Sequence, residues 1–201
     1  MTPEPNADRR SERARRAILD AVHDLAVRKG YAKVTIEAIA AQAGVGKPTI
    51  YRWWPSKGAV ALDALNERIG ATTDFPDTGD IAADLATQIT AVTGMFASDI
   101  GRLYRGIIAE AQGDERLRLA VRETIVEPRA RQCAERLDRA VAAGQVRSDL
   151  PTRTLVDLFY GPVYYRFLLG FSDAEMQQVP GLVRHILAGL TPGAPGAPAV
   201  G

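Results

Sequence analysis

Within the eleven positions 47–57 the chain carries Lys47, Thr49, Tyr51, Arg52, Trp53 and Lys57. Cationic groups interleaved with hydroxyls and an indole suit a polyanion that also displays base edges. Lysine and tyrosine reach phosphates, lysine donates to guanine, and threonine and tryptophan offer apolar contact to a thymine methyl. The chemistry is therefore that of recognising double-stranded DNA. Bond-making chemistry has far less to work with. His23 and His185 lie far apart in the chain, and Cys133 is the single cysteine, so no metal cluster, cysteine-based zinc site or disulfide framework is expected. No phosphate loop, dinucleotide glycine motif or paired-carboxylate spacing occurs, so no cofactor is implied. An enzyme is the least supported reading. A helical interaction or scaffold protein would account for the rest of the chain but not for this segment.

The formal charge of the 201 residues is +1, yet it is unevenly spread. Residues 1–60 hold eleven Lys and Arg against six Asp and Glu, a net +5, and the other 141 hold fourteen against eighteen, a net −4. A basic head on an acidic body suggests a polyanion partner for the head only. Composition, at 46% hydrophobic and 24% charged, excludes intrinsic disorder of the whole. No apolar run approaches the ~18 residues of a membrane helix, and the first sixteen residues are polar and arginine-rich. A reducing, cytoplasmic setting without membrane contact is the expectation.

Helical periodicity supplies the frame for the 47–57 segment. Ala14, Ile18, Ala21, Val22 and Leu25 form a stripe that ends at Arg28, Lys29 and Gly30. Thr35 stands as an N-cap before Ile36, Ile39, Ala40 and Ala43, and this second helix stops at Gly44. A third begins at Lys47, with Pro48 tolerated in its first turn, and is expected to reach about residue 54. Ser56 caps a fourth, to about residue 69. Two short helices joined by a glycine-containing turn predict a helix-turn-helix, with Ile50 and Trp54 inward and Lys47, Thr49, Tyr51 and Arg52 outward. Further helices are expected from residue 80 to about 98, from 101 to 112, across 114–143 with a kink or break at Pro128, over 152–169, and over 173–190. No strand pattern appears. The expected fold is all-α with about nine helices: a flexible basic arm (1–12), a three-helix head (13–57), a helical body (58–190) and a disordered Pro/Gly/Ala tail (191–201).

The run Thr35-Ile36-Glu37-Ala38-Ile39-Ala40, followed by Ala43-Gly44-Val45-Gly46-Lys47-Pro48-Thr49-Ile50-Tyr51-Arg52-Trp53-Trp54-Pro55-Ser56-Lys57, resembles the DNA-binding signature of the TetR family of one-component transcriptional regulators. The likeness is close over residues 14–65 and architectural beyond them. It implies that Lys47, Pro48, Thr49 and Trp53 face bases or the groove wall, that Tyr51 holds a phosphate, and that Thr35 and Lys57 anchor phosphates at two helix starts. Trp54 matches a core aromatic. The chain departs from the family pattern at Gly46, where many members carry a Ser or Thr cap, and at Trp53, which is often smaller or polar.

The resemblance also implies a homodimer on a palindromic operator, released by a small-molecule effector, with repression the usual outcome. For the effector, Met95, Phe96, Tyr104, Ile107, Ile108, Phe159, Tyr160 and Tyr164 offer an apolar, aromatic lining. Arg102, Arg105, Glu110 and Gln112 are candidate polar selectors. Tyr165, Leu169, Leu182, Ile186 and Gly189, on the last two expected helices, are the candidate dimer interface.

Overall fold

A computed structural model of the chain describes residues 7–70 and 74–192. Among these residues the structure is helical, with no strand. In order, the helices are α1 (Ala7–Lys29), α2 (Ile36–Ala43), α3 (Lys47–Tyr51), α4 (Lys57–Ile69), α5 (Ile81–Ala97), α6 (Asp99–Ala111), α7 (Glu115–Val121), α8 (Glu127–Ala142), α9 (Thr152–Leu169), α10 (Asp173–Met176) and α11 (Val179–Ala188). A 3-10 turn, Tyr31–Lys33, follows α1. Joining α7 to α8, and the one-turn α10 to α11, reduces these to the expected nine. Residues 7–12 of the expected arm are the first turns of α1, and residues 1–6 and 193–201 of the expected arm and tail lie outside the described residues.

Across 114–143, where a kink or break is expected at Pro128, two helices are joined by a π turn, Arg122–Val126, just ahead of that proline. Pro128 explains it: the ring has no N–H to give and collides with the carbonyl four residues back, so the ladder widens locally before α8 resumes. Pro162, by contrast, is accommodated inside α9. The third helix is shorter than expected, because the backbone amides of Trp53 and Trp54 both close onto the Ile50 carbonyl and end it.

The chain forms two compact units. One takes residues up to Gly70 together with Ser98–Thr124, thus α1–α4, α6 and α7. Its core is aliphatic: Ile18, Leu19, Val22, Ile39, Ile50, Val60, Leu65, Ile69, Leu103 and Ile107 are essentially without solvent exposure. On α6, Gly106 lies against the 3-10 turn so closely that a Cβ there would stand 2.7 Å from Tyr31 Cβ. The other unit takes residues 71–97 and 125–201, thus α5 and α8–α11. Its interior holds Leu85, Ile89, Leu137, Leu155, Phe159 and Val163, and also the Arg136 guanidinium. Arg136 Nε donates to Asp84 at 2.7 Å and lies 3.1 Å from Asp77, while Thr78 donates to Asp84 from its amide and its hydroxyl. Burial raises the Asp84 carboxyl, but the hydrogen bonds from Thr78 and Arg136 outweigh it and hold the group below the usual carboxylate range.

Candidate DNA interface

Local chemistry places α2 and α3. Thr35 Oγ1 accepts the Ala38 amide at 3.2 Å, which satisfies one orphan donor at the start of α2. Gly44 then adopts φ +67°, a left-handed conformation that a side chain would resist, and the Gly44 and Val45 amides close on the last turn of α2. Gly46 begins α3 without a side-chain cap, and Pro48 sits in its first turn, where no intrahelical amide bond is lost. Ser56 Oγ accepts the Ala59 amide at 3.2 Å and starts α4. Three caps and two breakers within 22 residues define the turn.

The inward and outward sides of α3 and of the turn after it, 52–54, are sharply divided. Ile50 is wholly buried, and Trp54 is buried with its indole N–H donating to Asp63 at 3.0 Å. Lys47, Pro48, Tyr51, Arg52 and Trp53 are exposed, Thr49 is half-buried, and Thr35 is exposed with its hydroxyl committed to its cap. The Arg52 guanidinium lies 5.6 Å from the Trp53 ring centroid, within range of a cation–π contact. Lys47 Nζ sits 3.0 Å from Glu37 on α2, an ion pair open to solvent. The face is thus packed at its base and cationic, aromatic and hydroxyl-bearing at its tip, which suits groove reading.

Two basic residues are engaged within the protein. The Arg15 guanidinium on α1 bonds Glu67 and Asp63 of α4. Arg13 and Arg16 remain exposed on α1. Lys57 is turned inward: its Nζ lies 2.5 Å from Glu110 on α6 and 4.4 Å from the Tyr31 ring centroid. Burial first, then the Glu110 charge, push the Tyr31 phenol above its ordinary range, so the lysine rests on a neutral ring. Sequence reasoning considered Glu110 as a polar selector for an effector or as a solvated surface residue, not as a partner of Lys57. Its position three residues after buried Ile107 was the available signal for a side chain at the edge of a packed face.

The residues expected to line an effector site fall in both units. Phe96, Tyr164 and Phe167 cluster in the second: Phe96 stacks on Phe167 at 3.8 Å and meets Tyr164 edge-on at 5.4 Å. Phe159 is buried there, Met95 is half-buried, and the half-buried Tyr160 donates its hydroxyl to Gln88. Burial pushes the nearby Cys133 thiol up to about 12, against a smaller opposing influence of the neighbouring Tyr160 hydroxyl, which makes it a poor nucleophile. Tyr104 and Ile107, buried, and Ile108, half-buried, belong to the first unit. Of the expected dimer residues, Tyr165, Leu169, Leu182 and Gly189 are exposed and Ile186 is half-buried. Leu158 and Leu168, which sequence reasoning missed, are also exposed and extend the α9 stripe at helical spacing. Among the described residues no group of three or more His, Cys, Asp and Glu could hold a metal, and no helix is long and apolar enough to cross a membrane.

A capped, glycine-turned helix pair presenting such a face defines a helix-turn-helix DNA-binding protein. Comparison with known proteins narrows the class. Residues 18–64 match the family model "Bacterial regulatory proteins, tetR family", and residues 75–186 match "Tetracyclin repressor-like, C-terminal domain". The chain is 33% identical over 181 residues to the uncharacterized HTH-type transcriptional regulator YdeS of Bacillus subtilis, covering 90% of this chain and 91% of that one. It is 27% identical over 162 residues to the DNA-binding transcriptional repressor TetR of Mycobacteroides abscessus, covering 80% and 85%. Among solved structures, the TetR family transcription regulator SCO0332 is 40% identical with a TM-score of 0.72, covering 89% of this chain and 99% of that one. The chain belongs to the TetR family and is a DNA-binding transcriptional regulator. Regulators of this family bind DNA and typically act as dimers.

Proposed function

We propose that the chain is a repressor that binds a palindromic operator as a homodimer in the cytoplasm and is released by a small molecule. The observation that carries the reading is the division of α3 and the turn after it, with Ile50 and Trp54 buried and Lys47, Pro48, Tyr51 and Trp53 offered outward. In this reading residues 13–57 read DNA, with Thr35, Lys47, Pro48, Thr49, Tyr51, Trp53 and Lys57 as the contacting set, and residues 58–190 sense and dimerise. The exposed apolar stripe of α9 and α11 supports self-association, because Leu158, Tyr165, Leu169 and Leu182 lose their water only against another surface. The aromatic cluster of Phe96, Tyr164 and Phe167 supports an apolar or aromatic effector. No residue is assigned a catalytic role. Release follows by linkage: an effector that prefers one of two conformations by ~1–3 kcal/mol shifts operator affinity ~5- to 150-fold.

Selection of bound duplexes from a random pool tests this directly, with a palindrome the expected product. The Lys47→Ala/Tyr51→Ala double variant is expected to lose sequence-specific binding while its thermal unfolding is unchanged. Specific binding retained by that variant would remove α3 from the interface. Leu169→Glu is expected to shift the chain towards monomer in sedimentation.

A further inference from the structure

Two ion-paired arginines clasp α1 to α4: Arg15 bonds Asp63 and Glu67, and Arg68 bonds Asp20. The step from 15 to 20 along α1 thus matches the step from 63 to 68 along α4, so the two helices run side by side in the same direction. The first turns of α1 therefore lie at the end of α4 that Ser56 caps, directly after α3 and the turn at 52–54. Arg13 and Arg16 belong to this stretch. Both are exposed, and neither has an ion pair or hydrogen bond among the described residues. The carboxylates one turn to either side of Arg16 are committed elsewhere, Glu12 to Arg15 and Asp20 to Arg68. Like charges one turn apart on a helix gain nothing from each other, so the fold gives no account of this pair.

We propose that Arg13 and Arg16 form a second phosphate-binding row, on α1, which holds the DNA backbone beside the α3 face. The proposal rests on the DNA-interface reading above and adds a surface of a different kind to it. Long side chains on a helix lean towards its N-terminus, so both guanidinium groups reach towards the end of the unit at which α4 begins. Arginine suits the role, because its charge is permanent and its planar fork meets two phosphate oxygens at once. Neither side chain has an internal partner to give up, whereas Arg15, two positions from one and adjacent to the other, would have to abandon Asp63 and Glu67. The row raises affinity without altering which bases α3 reads, because phosphate contacts carry no sequence information.

The test uses the full chain, the duplex recovered by selection and a random-sequence duplex, each titrated in potassium chloride. Arg13→Gln/Arg16→Gln is expected to weaken binding to both duplexes by the same factor. Its plot of log affinity against log salt should be shallower by ~1.8 per head, ~0.9 for each contact, so that the loss shrinks about twelvefold per head between 50 and 200 mM. Arg13→Lys/Arg16→Lys, which keeps the charge, should keep the wild-type slope. Arg131→Gln/Arg153→Gln removes the same charge from exposed positions on α8 and α9 of the other unit and should leave the slope unchanged. Thermal unfolding of Arg13→Gln/Arg16→Gln should match the wild type, since glutamine is as good a helix former and no partner is lost. An unchanged slope in that variant overturns the row. So does an equal flattening in Arg131→Gln/Arg153→Gln, which would trace the effect to the field of the whole chain, or a loss confined to the selected duplex, which would make the two arginines readers of bases. Placed in the Lys47→Ala/Tyr51→Ala background, the pair should still flatten the slope although specific binding is gone. A wild-type chain that binds both duplexes equally contradicts the specific-reader assignment and leaves the row measurable on either duplex, whereas one that binds neither overturns both.

Discussion

The two compact units are built on different interiors. Among the described residues, the buried polar and charged side chains are Asp84, Gln88, Thr93 and Arg136, and all four belong to the unit of α5 and α8–α11. The unit that carries α1–α4 keeps its charges at the surface and edge, around an aliphatic core with Tyr31, Trp54 and Tyr104. A DNA reader needs one shape, and apolar packing against close-fitting small residues provides most of it, with the buried Trp54 indole N–H held by Asp63. A polar interior is costly unless every group is matched, so it imposes one arrangement of helices while it is satisfied. The difference is that one unit encloses polar groups while the other keeps its charges at the surface and edge.

The largest expected effect would break the polar interior. Arg136→Ala leaves Asp84 enclosed with only Thr78 to bond, and is expected to cost about 3 kcal/mol in urea or thermal unfolding, the low end for a buried pair because Asp77 opens the network to water. A loss below that of a surface substitution would mean that the buried charges are incidental and the contrast is false. Second is Gly106→Ala, which attacks the close packing of the reader. The added methyl meets Tyr31 at Cβ and along the ring edge, atoms too near the backbone to yield cheaply, so overpacking of about 1–3 kcal/mol outweighs the ~1 kcal/mol of helix propensity gained. Next is Ser56→Ala, which removes the cap of α4 at a cost of about 1 kcal/mol, read as a lower midpoint with an unchanged denaturant slope.

The legible and illegible parts of the molecule divide by the range of the forces involved. Thr35, Gly44, Pro48 and Ser56 act on backbone groups within four residues, so the helix-turn-helix, and with it the outward set on α3, could be read directly from the chain. The long-range ion pairs could not be read, because Arg136 with Asp84, and Lys57 with Glu110, join helices some fifty positions apart whose mutual rotation is set by packing. A trace was nonetheless present. Arg136 shares a face of α8 with Cys133, Leu137 and Ala140, and Asp84 and Gln88 share one of α5 with Ile81, Leu85 and Ile89. A charge at an apolar register calls for a buried partner, and two such registers of opposite sign nominate each other. The grouping of α6 and α7 with the head shows in close fits such as Gly106 to Tyr31 and Gly58 to Leu117, for which a single sequence offers only a glycine in a helix.

The smallest effect is expected at the pair that most resembles the buried one on paper. Lys47 and Glu37 are 3.0 Å apart, but their side chains are 52% and 65% exposed, so solvent already satisfies both when they separate. Glu37→Gln should therefore leave the thermal midpoint unchanged while modestly tightening DNA binding, because an anion leaves the interface and Lys47 is released. The two carboxylates also share a sign in pH dependence. The hydrogen bond from Lys47, above all, holds Glu37 below its usual range, and Asp84 is likewise depressed. Each depressed group contributes stability that is present above its unfolded value, about 4, and lost as pH falls through the lower folded value. Only the enclosed group has enough at stake to be seen. The acid limb of unfolding for Glu37→Gln should overlay the wild type, whereas that for Arg136→Ala should depart from it. Two departures of equal size would mean that the exposed charges of the reader hold its fold as firmly as the enclosed charges hold the other unit.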